Sequence, residues 1–131
     1  MSTFRIILPG GEILCETTEE NPETAKKFLS SLPIQGVGSR WGQEIYTTST
    51  NPELILTPES VRELMQEGEI AYWPPGKALC IFWGPTPASK DDDKPRAASP
   101  VNPFAKIISL SSSEVEKLNS FQSGEVIRFE A

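Results

Sequence analysis

Proline and glycine punctuate this chain more than any other residues. Its 131 residues include 12 Pro and 9 Gly. The prolines stand singly or in pairs between periodic segments and do not form one low-complexity tract. The chain therefore reads as many short elements joined by tight turns.

The first turn is legible at once. Phe4–Leu8 and Glu12–Glu16 are β-rich runs on either side of Pro9-Gly10-Gly11, which predicts a hairpin. Asn21-Pro22-Glu23 carries a helix-start signature: an N-cap acceptor, proline at the first helical position and an acid in the first turn. Ala25, Phe28, Leu29 and Leu32 follow at i, i+3, i+4 and i+7, which places them on one apolar face until Pro33 stops the helix. Ile34–Tyr46, with Gly36, Gly38 and Gly42, predicts strands interrupted by bulges or bends, and Thr47–Asn51 a strand end and turn.

Thr57-Pro58-Glu59 repeats the cap, proline and acid pattern, and Val61, Leu64 and Met65 then predict a short helix closed by Gly68. Glu69–Trp73 and Ala78–Trp83 are strand-like runs around Pro74-Pro75-Gly76. Pro85–Pro103 is polar and proline-rich, includes the charge run Lys90–Lys94, and reads as a long loop. Ala105–Leu110 predicts a strand. Ser111 and Glu114 have capping-box spacing ahead of a helix bearing Val115, Leu118 and Phe121, and Val126–Glu130 predicts the last strand. The sum is seven or eight short strands with two helices and a third short one, in one domain spanning 1–131. Strands and helices do not alternate, which excludes a doubly wound sheet and favours a closed barrel or sandwich.

Composition narrows the chemistry. The chain has no histidine. That removes Ser-His-Asp and Cys-His nucleophile systems, HExxH and zinc-finger sites, and an imidazole base. We expect no metal site and no cofactor. A net charge of −6 without a Lys/Arg cluster argues against nucleic acid as a partner. Cys15 and Cys80 form no CxxC and read as two buried free thiols. The first residues lack a signal-peptide pattern, and no segment approaches the roughly 20 apolar residues of a membrane span. A soluble cytoplasmic protein, monomeric or homodimeric, is the expectation.

Three stretches carry a resemblance. Glu67–Pro87, with Tyr72-Trp73-Pro74-Pro75-Gly76-Lys77 and Phe82-Trp83-Gly84-Pro85, resembles the signature of a prokaryotic family of small cyclophilin-like proteins of unassigned function. Trp41–Tyr46 resembles its upstream motif and Ser99–Ile107 its downstream one, in the family's order. The flanking elements also fit, so the resemblance covers nearly the whole chain. Asn21–Phe28 further resembles the first-helix motif of true cyclophilins, and Val101–Ile107 their late strand, with Phe104 on its aromatic. The resemblance implies a mainly β fold: a single closed cyclophilin-like β-barrel of about eight strands, capped by two or three short helices.

That fold does not by itself imply prolyl isomerisation. Cyclophilins set an Arg in a His-Arg-Ile context, followed by Gln-Gly-Gly-Asp, beside an apolar pocket that includes a His. This chain has neither that motif nor any histidine. Arg40 lies in the corresponding region but in the context Ser39-Arg40-Trp41-Gly42. It is a weak catalytic candidate beside the plainer reading of a solvated strand-edge arginine.

The remaining candidates form an aromatic and mixed-charge cleft. Alternation puts Tyr72 and Trp73 on opposite faces, and likewise Phe82 and Trp83, so one of each pair is core and the other is free to line a cleft. Trp41 and Tyr46 have opposite parity unless Gly42 resets the register. Glu44 is either a solvated strand carboxylate or the acid–base group of any chemistry, with Lys77, Arg40 or Arg96 as partner. Lys77, Arg96 and Asn102 are surface or turn residues on one reading and ligand contacts on the other. The expected function is a non-catalytic module that binds a small molecule or an extended peptide through Trp41, Tyr46, Tyr72, Trp73, Lys77, Arg96 and Asn102. The alternatives are an enzyme, with weak peptidyl-prolyl isomerisation as its named form, and a protein-interaction subunit.

Overall fold

A computed structural model describes residues 2–51, 54–90 and 93–131. Nine strands and two helices follow one another: β1 (Thr3–Leu8), β2 (Gly11–Thr17), α1 (Pro22–Ser30), β3 (Ile34–Arg40), β4 (Glu44–Asn51), β5 (Arg62–Leu64), β6 (Glu69–Trp73), β7 (Ala78–Phe82), β8 (Arg96–Ile107), α2 (Ser112–Asn119) and β9 (Val126–Glu130). The fold is mainly β. Strand order is β2-β1-β9-β3-β4-β7-β6-β8, and β8 pairs back to β2, so eight strands close into a ring; β5 adds to the outer part of β8. Closure leaves no free edge on those eight strands.

Alternation decides what fills the ring. Ile45 on β4, Leu79 and Ile81 on β7, and Ile70 and Tyr72 on β6 belong to the main core. Phe28 brings α1 to that core and meets Phe4, Phe104 and Phe129 at centroid distances of 4.8, 4.8 and 5.8 Å. The opposite faces of the same strands are also covered. Ala71, Cys80 and Phe82 form a second small core with Met65, Ala97 and Val101. Every residue of β7 is therefore buried, which is why Ala78–Phe82 is a continuous apolar run with no polar alternation.

Several sequence expectations are corrected. No third helix forms: Thr57–Gly68 is a loop followed by the short strand β5. Its cap-like acid caps another helix. The Glu59 carboxylate accepts from the Glu23 and Thr24 amides at 3.2 and 3.1 Å, at the start of α1. Asn21 makes no side-chain cap there. Its amide instead donates to the Pro103 and Ser60 carbonyls at 2.7 and 3.2 Å.

The expected loop Pro85–Pro103 is shorter, because β8 begins at Arg96. The strand tolerates Pro103 because it stands opposite Ala71, where the β6–β8 register shifts and a ladder donor is not needed. Gly42 lies in the β3–β4 turn at φ 64°, while the bulge in this hairpin falls at Gln35/Gly36. Within the Lys90–Lys94 run, Asp91 and Asp92 lie outside the described residues. The capping box at Ser111 and Glu114 forms as the spacing predicts. Among the described residues no helix is long and apolar enough to cross a membrane.

Candidate functional site

The outer face of β4, β7 and β6 carries a pocket of about 260 Å³, lined by Trp41, Glu44, Tyr46, Trp73, Cys80, Ala97, Ala98 and Val101. Register puts these together. Tyr46 faces Cys80 across the β4–β7 pair, and Glu44 faces Phe82, two residues further along β7. Glu44, Tyr46 and Cys80 thus share one face. Trp73 joins from β6, whose residues Ala71 and Trp73 pair with Cys80 and Ala78.

Two turns hold the tryptophans. Trp41 sits in the β3–β4 turn, where its amide donates to the Glu44 carbonyl at 2.9 Å. Gly42 follows in the left-handed region, and a Cβ there would stand 2.9 Å from the Pro85 carbonyl oxygen and the Thr86 Cα. Only glycine lets this turn lie against the Pro85–Thr86 loop. The turn resets the parity, so Trp41 and Tyr46 reach the same pocket. Trp73 lies over the Pro74–Lys77 turn: a Cβ on Gly76 would come within 2.5 Å of its ring. Its indole N–H donates to Ser99 Oγ at 2.6 Å, which ties it to β8.

Glu44 is the one charged side chain of the lining among the described residues, and it is only 5% exposed. Burial pushes its carboxyl up from the ordinary 4.5 to about 7, and a hydrogen bond from the Cys80 thiol partly opposes that shift. Burial, followed by the neighbouring Glu44 charge, pushes the Cys80 thiol well above its ordinary value. Cys15 and Cys80 are both free and buried.

The other candidates are placed elsewhere. Arg40 turns away from the pocket. Its guanidinium donates to the carbonyls of Gly42 (3.1 and 3.0 Å), Asn119 (3.0 Å) and Phe121 (3.2 Å), and lies over the Trp83 ring at 5.0 Å. It clamps the β3–β4 turn to the C-terminal end of α2. Tyr72 is fully buried in the main core, with its hydroxyl donating to the Leu54 carbonyl and accepting from the Leu56 amide, both at 3.1 Å. Asn102 is also fully buried; it accepts from the Glu59 amide at 3.0 Å and donates to Thr24 Oγ1 and the Thr57 carbonyl at 3.1 and 3.0 Å.

Lys77 is exposed in its turn at φ 50°. Arg96 stands 3.9 Å from Glu63, and its Nε is buried without a hydrogen-bond partner among the described residues. Phe82 and Trp83 are both buried, one in each core, and neither is part of the cleft lining. Among the described residues the lining is therefore aromatic with one carboxyl rather than mixed in charge. Sequence reasoning did not assign Cys80, Ala97, Ala98 or Val101 to it. The parity of Cys80 with Phe82 was a usable signal for the first of these. The alanines become site residues only through the extension of β8.

The model of the family described as Cyclophilin-like matches residues 2–130. A hypothetical protein from Archaeoglobus fulgidus, known from a solution structure, is 36% identical, with a TM-score of 0.76 over 98% of this chain and 92% of its own. McbB, solved in complex with tryptophan, is 15% identical with a TM-score of 0.69; the match covers 97% of this chain and 44% of McbB. A Cryptosporidium parvum cyclophilin-type peptidyl-prolyl cis-trans isomerase, crystallised in the presence of the dipeptide Ala-Pro, is 15% identical with a TM-score of 0.58, over 96% of this chain and 94% of its own. No curated protein matches the sequence.

Proposed function

Because this chain belongs to the cyclophilin-like family, whose fold serves more than one purpose, we propose from its own residues that it is a binding module for a small molecule or a short peptide group, held in the Trp41–Glu44–Tyr46–Trp73 pocket. The observation that carries this reading is convergence. Three aromatic side chains from a turn and two strands meet one buried carboxylate over an open, largely apolar hollow. Ligand sites combine such apolar walls with few polar groups. The volume of about 260 Å³ lies just below the ~300–1,000 Å³ usual for drug-sized ligands, so the pocket suits one ring or one side chain. The two free, buried thiols fit a reducing compartment, and we place the protein in the cytoplasm.

Tryptophan emission tests the reading directly, since Trp41 and Trp73 line the pocket. Small aromatic amines, alcohols and acids, together with X-Pro peptides, are titrated into the wild type and into Trp73→Leu. A saturable change in the wild type that is lost in Trp73→Leu supports the pocket. No change with any class, or an equal change in the variant, overturns it. The prolyl-isomerase form of the enzyme alternative lacks a free cationic donor in Arg40, whose guanidinium is engaged by Gly42, Asn119 and Phe121. A coupled X-Pro assay is expected to read the uncatalysed rate.

A further inference from the structure

Resting on the binding reading above, we propose that the pocket selects an organic cation: an ammonium group carried on a small apolar or aromatic body. The Glu44 carboxylate is 5% exposed and faces into the hollow from β4. The groups around it are few. Among the described residues, β7 contributes the Cys80 thiol, β4 itself the Tyr46 phenol, and β6, β8 and the preceding turn contribute Trp73, Ala97, Ala98, Val101 and Trp41. Among the described residues no lysine or arginine lines the site. Among the described residues the donor that lowers the Glu44 carboxyl is the Cys80 thiol, a weak one.

A buried carboxylate without a cation is an incomplete ion pair. A positive ligand would complete it. The surrounding walls fit the same charge: the faces of Trp and Tyr rings attract a cation through their quadrupoles, and more strongly once water is excluded. An anionic ligand would meet the carboxylate without a counter-charge. A neutral ligand would leave the carboxylate unpaired or require it protonated. The small volume admits an ammonium with one ring or a short aliphatic stem.

The test compares three probes on one skeleton: phenethylamine, 2-phenylethanol and phenylacetate, followed by tryptophan emission at pH 8. The expected order is amine, then alcohol, then acid, with the amine at least tenfold tighter than the alcohol. Glu44→Gln should bring the amine to within about twofold of the alcohol. In the wild type, amine affinity should rise with pH by up to about tenfold per unit below pH 7 and level off above it, because the amine stays charged while Glu44 ionises. Should Glu44→Gln fold poorly, the probe order and the pH profile of the wild type still decide. Alcohol or acid binding as tightly as the amine, or amine affinity flat or falling with pH, overturns the cation while the pocket stands. If none of the three changes the emission, the cation falls, and the pocket stands or falls with the wider panel that includes X-Pro peptides.

Discussion

The thiol of Cys80 on β7 shares the face of the Glu44 carboxyl on β4 and stands diagonally across the strand pair from it. This is a weak donor for a buried acid, and burial dominates: the Glu44 carboxyl is pushed up to about 7. Between its ordinary 4.5 and about 7 the folded state holds a proton that the unfolded state has released. Stability contributed by the neutral acid is therefore full below about pH 4.5 and is lost as pH rises through about 7. At roughly 1.4 kcal/mol per pH unit, the loss is on the order of 3 kcal/mol. Urea unfolding at pH 4.5 and pH 8 should show Glu44→Gln gaining on the wild type at the higher pH. Parallel pH profiles for the two proteins would contradict a raised Glu44.

The two thiols should be inert in the folded protein. Burial pushes Cys15 up to about 12 and Cys80 well above its ordinary value, and the thiolate is the reactive form. Iodoacetamide at pH 8, read by mass spectrometry, should label neither site within the time that fully labels both in urea. Rapid native labelling of Cys80 would mean that the pocket floor opens.

Arg40→Ala should act on stability and spare the pocket. The guanidinium ties Gly42 to the carbonyls of Asn119 and Phe121 and lies over Trp83. Hydrogen bonds from a charged donor are worth roughly 1.5–3 kcal/mol, less where water reaches them. A loss of about 2 kcal/mol is expected in thermal or urea unfolding. The alcohol affinity of the variant should match the wild type at a temperature where both are folded.

The loop between β4 and β5 should couple to α1. The Glu59 carboxylate sits at the N-terminus of α1 and also accepts from Thr24 Oγ1 at 2.9 Å. Burial raises its carboxyl pKa, but the Thr24 hydroxyl and the Glu23 and Thr24 amides together outweigh that and hold it below its usual value. Its contribution is therefore present above the ordinary pKa and fades as pH falls through the lowered one. Glu59→Ala should cost about 1 kcal/mol, as lost caps do. Asn102→Leu should cost more, about 2–4 kcal/mol, because it strips buried partners from the Glu59 amide and from Thr24. Equal, small effects from both would mean the network is not cooperative.

How much of this was legible follows the range of each interaction. The β1–β2 hairpin, α1, the capping box of α2 and the split of Tyr72 from Trp73 all follow from neighbours within a few residues. The motif resemblance reached the fold and the stretches that frame the pocket. It did not separate Trp41, Glu44, Tyr46 and Trp73 from Arg40, Tyr72, Lys77, Arg96 and Asn102, all of which lie in or near those stretches. The short helix expected after Thr57 failed for a related reason. Its cap signature is real chemistry, but Glu59 spends it on a helix that starts more than thirty residues earlier in the chain.

The sequence by itself determined the local vocabulary: short strands, glycine and proline turns, one apolar helix face, and the exclusion of every histidine-based chemistry. Tertiary structure alone decided which polar side chains are used up inside and which carboxylate is left facing a cavity. The reason is physical. Alternation and capping are set within about four residues, whereas a hydrogen-bond partner or a desolvating neighbour comes from whichever strand the register brings alongside. Glu44 has Cys80 beside it only because β4 pairs with β7, and it has Val101 across the hollow only because β8 starts early enough to cover that face.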